Sequence, residues 1–304
     1  VSLGWVAGSA RARLLLGHRV GRDGARRLAA LPPQEALAEL AGTGYGRYED
    51  LGADLRTAQR AVAATTLLHL RILAGWLPPG AVGLVRTLAA WFELANVEDR
   101  LAYLLGGDAE HPYELGSLAT AWSSVAGASS PAELRAVLAA SAWGDPESDD
   151  PHDVRLALRL GWARRLMAEV PETREWVGGA LGVLLARERL LLEVEPHARA
   201  AAGFGLGSEW VGAVTVPALA ATVPQDAAWA LEGIAEPEEL WRAETAWWKR
   251  VERDAEAMVR GRREGRRAVV GAVALLAADA RLAIAALEAA ARGAGLEEVL
   301  GEVA

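Results

Sequence analysis

The sequence predicts an all-α protein. Three observations carry that expectation. Apolar residues recur at three- and four-residue steps over long stretches. Prolines and glycines punctuate those stretches at intervals that suit helices of about 10–20 residues. Alternating, β-branched runs are scarce. Composition agrees: of 304 residues, 52% are hydrophobic and 24% charged, enough apolar side chain for a sizeable core and too much for a disordered chain.

In chain order, Glu35–Ala41 is a short helix closed by Gly42-Thr43-Gly44-Tyr45-Gly46. That glycine-rich turn has no preceding strand and no following Lys-Ser/Thr, so it does not match a phosphate loop. In Gln59–Leu77, residues Val62, Leu67, Leu70, Leu73, Ala74 and Leu77 line one face, and Pro78-Pro79 stops the helix. Ser130 and Pro131 supply an N-cap and a first-position proline for Ala132–Ala142. Val154–Val170 follows Asp153 as its expected N-cap and ends at Pro171. Glu172–Val194 is the next helix and stops at Pro196. From Glu238 onward almost every residue favours helix, with Gly261, Gly265 and Gly271 as the expected breaks. Val211–Val216 is the best strand candidate, and Gly144–Asp153 and Gly203–Gly207 are irregular stretches that mark boundaries.

Charge excludes some functions. A net charge of −8 and a pI near 5.3 argue against a dedicated nucleic-acid binder, which needs a basic surface to replace phosphate counterions. The absence of cysteine removes thiolate metal sites, disulfides and cysteine nucleophiles. Trp176–Ala186 and Ala268–Ala278, the longest uncharged apolar stretches of the second half, have 11 residues each. A membrane span needs about 20. With Arg11 and Arg13 in the first apolar stretch there is no signal-peptide pattern, and the expectation is a soluble cytoplasmic protein. The charge is uneven: residues 101–150 hold eight acids against Arg135 alone, nearly the whole net charge. Arg260, Arg262, Arg263, Arg266 and Arg267 crowd around Glu264. Each cluster is a solvated face or a docking patch for a partner.

Few constellations suggest chemistry. Asp149-Asp150-Pro151-His152-Asp153 spells D-D-x-x-D, the spacing that holds Mg²⁺ and a diphosphate on a helix face in all-α isoprenoid synthases. Here Pro151 and the turn-like residues before it put the carboxylates in a loop. His18, His69, His111, His152 and His197 lie far apart, none in an i, i+4 pair. The sequence therefore nominates no catalytic, cofactor-binding or metal-ligating residue, and no small-molecule substrate. Of twelve tryptophans, the adjacent Trp247 and Trp248 would point about 100° apart on a helix, so both cannot lie on one narrow core stripe, and one of them could face a partner.

Four segments carry a family resemblance. Trp5-Val6-Ala7-Gly8-Ser9-Ala10-Arg11-Ala12-Arg13-Leu14-Leu15 resembles the aromatic-x-x-A-R-h-R…L-L opening of the V/A-type ATPase C subunit, called the d subunit in eukaryotes. Leu40-Ala41-Gly42-Thr43-Gly44-Tyr45 is similar to its L-x-x-T-x-Y turn. Leu88-Ala89-Ala90-Trp91-Phe92-Glu93-Leu94-Ala95-Asn96-Val97 is similar to its L-L-x-x-h-D-h-x-N-h segment, with Glu93 at the acidic position and Asn96 at the asparagine. Arg292-Gly293-Ala294-Gly295-Leu296-Glu297-Glu298-Val299-Leu300 resembles the end of the family's closing helix, within Ala277–Glu302. Leu104-Leu105-Gly106-Gly107, where members usually carry a basic residue, and Ala283-Ile284-Ala285-Ala286, where they carry polar ones, mark a divergent, bacterial-type member.

The resemblance implies three related helical repeats forming one funnel, here residues 1–107, 108–195 and 196–304. It implies a non-catalytic central-rotor subunit without cofactors, peripheral on the cytoplasmic face of the membrane. Such a subunit couples the central shaft to the proteolipid ring for ATP-linked proton or sodium transport. Two other classes compete: a Mg-dependent isoprenoid-type enzyme using Asp149, Asp150 and Asp153, and a stand-alone helical scaffold.

Overall fold

The computed structural model describes residues 2–47, 51–52, 54–193, 212–261 and 264–301. The chain is all-α, 74% helical, with no strand among the described residues. It divides into two compact units. Unit 1 joins Val1–Val85 to Trp248–Ala304, and unit 2 is the continuous stretch Arg86–Trp247.

Unit 1 contains α1 (Leu3–Leu16), α2 (Gly21–Ala29), α3 (Pro33–Ala41) and α4 (Leu55–Trp76). Further along the chain follow α13, which begins in unit 2 and runs Leu240–Arg260, α14 (Arg266–Arg292) and α15 (Leu296–Val299). Helix α14 is the centrepiece: α1, α2, α3, α4 and α15 all pack on it. Its run of alanine, valine and leucine buries most of its surface, and a partly exposed stripe runs through Ala274, Ala277, Arg281, Ile284 and Glu288. By length and composition it could cross a membrane, but most of it is buried within the unit. Asp279 and Arg281 interrupt its apolar run, which is why the uncharged stretch Ala268–Ala278 within it has only 11 residues.

Several expected boundaries shift. Helix α4 starts four residues before Gln59 because Asp54 caps it, its carboxylate accepting from the Thr57 amide at 2.9 Å. Gly261 and Gly265 do bracket the break between α13 and α14, but Gly271 breaks nothing. It lies inside α14, where a Cβ would stand 2.7 Å from the Ala255 carbonyl oxygen. Its missing side chain is what lets α13 pass so close. Gly293, in the left-handed region at φ 65°, closes α14.

Unit 2 contains α6 (Trp91–Leu104), α7 (Trp122–Val125), α8 (Pro131–Ala139), α9 (Pro151–Glu169), α10 (Arg174–Ala186), α11 (Val216–Ala220) and α12 (Gln225–Ala228). Helix α5 (Val82–Leu88) bridges the unit boundary in sequence. One core gathers Leu94, Val97, Leu101, Val125, Leu134, Leu138, Trp143, Val154 and Leu158. A second gathers Leu185, Val216, Leu219, Leu231 and Leu240. The expected helix Glu172–Val194 runs from a 3-10 turn at Pro171–Thr173 through α10 into a π-helical turn at Arg187–Leu191; Leu192 and Glu193 leave the helix, and Val194 lies outside the described residues.

Two sequence expectations in this unit are corrected. The N-cap of α9 is Asp150, not Asp153: its carboxylate accepts from the amides of His152 and Asp153, and Pro151 takes the first helical position, where no amide is needed. The strand candidate Val211–Val216 is no strand over its described residues, because Thr215 caps α11 by accepting from the Ala218 amide. Residue 211 and the glycine-rich stretch Gly203–Gly207 lie outside the described residues.

Candidate functional site

Several polar residues on these helices are buried anchors rather than exposed chemistry. In unit 1, Asp279 projects from α14 and is almost fully buried. Its carboxylate accepts from the Val20 amide at 3.0 Å, the Gly21 amide at 2.7 Å and the Tyr45 hydroxyl at 2.8 Å. It thereby fixes the entry to α2 and the turn after α3 at one point. Burial pushes the Asp279 carboxyl up, opposed by the donors from Gly21, Tyr45 and Val20. Burial and the neighbouring Asp279 charge push the Tyr45 phenol well above its ordinary value. Thr43 shapes the turn itself, donating to the Leu40 carbonyl and accepting from the Tyr45 amide.

Unit 2 uses the same device. Glu93 on α6 is fully buried, and its two oxygens accept from the amides of Thr120 and Ala121, which lead into α7. One turn along, Asn96 makes a two-point bond to Tyr113: its amide donates to the Tyr113 carbonyl at 2.9 Å and its oxygen accepts from the Tyr113 amide at 2.7 Å. The spacing i, i+3 aims both side chains at the loop between α6 and α7. Buried amides without partners are costly, so each of these polar side chains substitutes for water along a loop that runs over the core.

The charged clusters divide between the units. In residues 101–150 at least four of the eight acids hold local partners. Asp145 accepts from Arg135 at 2.8 Å, and that guanidinium together with the Glu147 amide holds its carboxyl below the ordinary range. Asp149 lies 3.8 Å from Arg135, Asp150 caps α9, and Glu133 accepts from the Ser129 amide and hydroxyl. Asp149 and Asp150, two carboxylates of the D-D-x-x-D spelling, are therefore committed to an ion pair and a helix cap. Among the described residues, no group of three or more histidine or carboxylate side chains is arranged to hold a metal ion. Of the basic cluster, Arg262 and Arg263 lie outside the described residues. Glu264 is bound by Arg13 at 2.9 Å, and the Gly265 amide donates to Ser9 at 2.8 Å, so the α13–α14 turn is stapled to α1.

Both members of the Trp247-Trp248 pair have intramolecular packing. The Trp247 indole donates to the Trp176 carbonyl at 2.6 Å within unit 2. In unit 1, Arg281 lies over the Trp248 ring at 5.2 Å. Sequence reasoning missed the pairing of His18 with His69, whose rings stand 5.7 Å apart between the end of α1 and α4. His69 is 4% exposed. Burial, with help from His18 and Arg11, pushes its pKa down to about 4. It also missed Asp279, although a lone acid inside the otherwise apolar Ala268–Ala280 was a visible signal.

Neither the family models nor the curated proteins compared with this chain contain a match for it.

Proposed function

We propose that this chain is a divergent central-rotor component of a V/A-type rotary ATPase, related to the C-subunit family, whose eukaryotic members are the d subunits. In this reading it is non-catalytic and passes torque between the central shaft and the membrane proteolipid ring, coupling ATP turnover to proton or sodium movement. The supporting observation is the repeated anchoring device. Three positions quoted for the resemblance, Tyr45, Glu93 and Asn96, are buried and hydrogen-bonded to neighbouring loops or helices. A carboxylate on a long helix holds the entry to a short one in both units, through Asp279 before α2 and Glu93 before α7. Recurrence of one device favours descent from a repeated helical unit, with repeats at residues 1–107, 108–195 and 196–304 arranged as a funnel. A body built on such stapled helices is stiff, which torque transmission requires.

The test is co-purification. Tagged full-length chain, expressed in its own host, is expected to bring down a shaft subunit and a proteolipid ring from detergent-solubilised membranes. A stable monomer that captures neither overturns the reading. In the competing enzyme class, Mg²⁺ with an isoprenoid diphosphate would raise the melting temperature, since a ligand that binds only the native state stabilises it. No shift is expected here.

A further inference from the structure

We infer that the outer face of α1, with the close of α4, is a lipid-docking surface that seats unit 1 on an anionic membrane. Residues 2–10 and 73–85 contain no charged side chain, and the fold brings these two segments together. A Cβ on Gly4 would stand 3.2 Å from Pro78, and one on Gly8 would strike Leu77. Helix α1 buries Gly8, Ser9, Ala12 and Leu15. On its opposite side Leu3, Val6, Ala10 and Leu14 are exposed, within about 80° of arc at helical spacing. Leu3 is 87% exposed, Val6 41%, and Trp76 at the close of α4 53%. An exposed apolar stripe of this kind marks an interaction surface, and an indole beside it suits the headgroup boundary.

Charge selects lipid as the occupant. Arg11 and Arg13 flank the stripe on either side, and α1 contains no acid. Arg11 lies over the Trp76 ring at 5.8 Å. Through its bonds to Glu264 and the Gly261 carbonyl, Arg13 ties α1 to the turn that carries the basic cluster. Arg260 and Arg267 are exposed there, and Arg266 is half-buried. Glu264 is bound by Arg13, and Glu256 is bound by Arg260. An apolar helix face flanked by arginine and free of acid is the pattern of a helix lying in the interface plane, with acyl chains taking the apolar side chains and anionic headgroups taking the guanidiniums. A single stripe binds reversibly, so this contact seats the protein rather than anchoring it.

The experiment is vesicle flotation of the full-length chain with no other protein present, so its outcome is independent of the rotary reading. Wild type is expected to float with vesicles of phosphatidylcholine and phosphatidylglycerol, and less in high salt or with phosphatidylcholine alone. Leu3→Glu with Val6→Glu, both exposed, is expected to weaken binding by about tenfold or more while circular dichroism stays unchanged. Arg260→Glu with Arg267→Glu is expected to weaken binding and flatten its salt dependence. The inference is overturned if wild type ignores the mixed vesicles, as it would were the stripe reserved for a protein partner. Equal flotation of the Leu3/Val6 variant, or equal binding to phosphatidylcholine alone, overturns it as well.

Discussion

Asp279 shows how much can rest on one carboxylate. It satisfies two backbone amides and a phenol in a place closed to water. Asp279→Ala leaves all three donors unpaired and is expected to destabilise the protein by about 3–5 kcal/mol, whereas Tyr45→Phe removes one donor and costs about 1 kcal/mol. Urea denaturation of the two variants checks the ratio. His69 makes a prediction of a different kind. Its pKa of about 4 in the fold lies below the unfolded value of 6.5, so the native state holds it neutral. Its contribution is intact above about pH 6.5 and is lost as pH falls towards about pH 4, amounting to about 2 kcal/mol between pH 7.5 and pH 5. His69→Gln is expected to remove that part of the acid sensitivity. An unchanged pH–stability profile in the variant would contradict the assignment.

At the scale of the helix, close approach matters as much as apolar surface. Gly271→Val would drive a branched side chain into the Ala255 carbonyl and is expected to cost more than about 2 kcal/mol, measured as a fall in melting temperature. Asp150→Ala removes the cap of α9 and should cost about 1 kcal/mol, with Asp153→Ala costing less. These pairs also show what the sequence disclosed. Helical periodicity and the proline stops were legible because they are local: Pro78-Pro79 ends α4, and Ser130-Pro131 starts α8 as expected. Gly271 misled because a glycine that breaks a helix and one that admits a neighbour look alike until the neighbour is known. Asp153 misled because Pro151 looked like an interruption, although proline is favoured one residue after a cap. Tyr45, Glu93 and Asn96 were picked out as family marks, but their partners lie 17 to 234 residues away in sequence, beyond the reach of local pattern.

The molecule as a whole is organised around a discontinuity. Unit 2 is one uninterrupted segment, whereas unit 1 is assembled from the first 85 residues and those from Trp248 onward. Residues 86–247 expressed alone are expected to give a cooperative helical melt. Residues 1–85 alone are expected to be largely unfolded, because the faces of α1, α2 and α4 would lack α14. Mixing in a peptide of residues 248–304 should restore helicity, and a folded 1–85 fragment would refute this dependence. The same layout governs synthesis. At about 5–20 residues per second, the leading helices wait on the order of 10–40 s for α14 to leave the ribosome. Throughout that interval the apolar faces that later clasp α14 are open to solvent or to one another. Birth, rather than maturity, is thus the vulnerable stage of this protein, and its yield in cells is expected to follow chaperone supply more closely than its melting temperature.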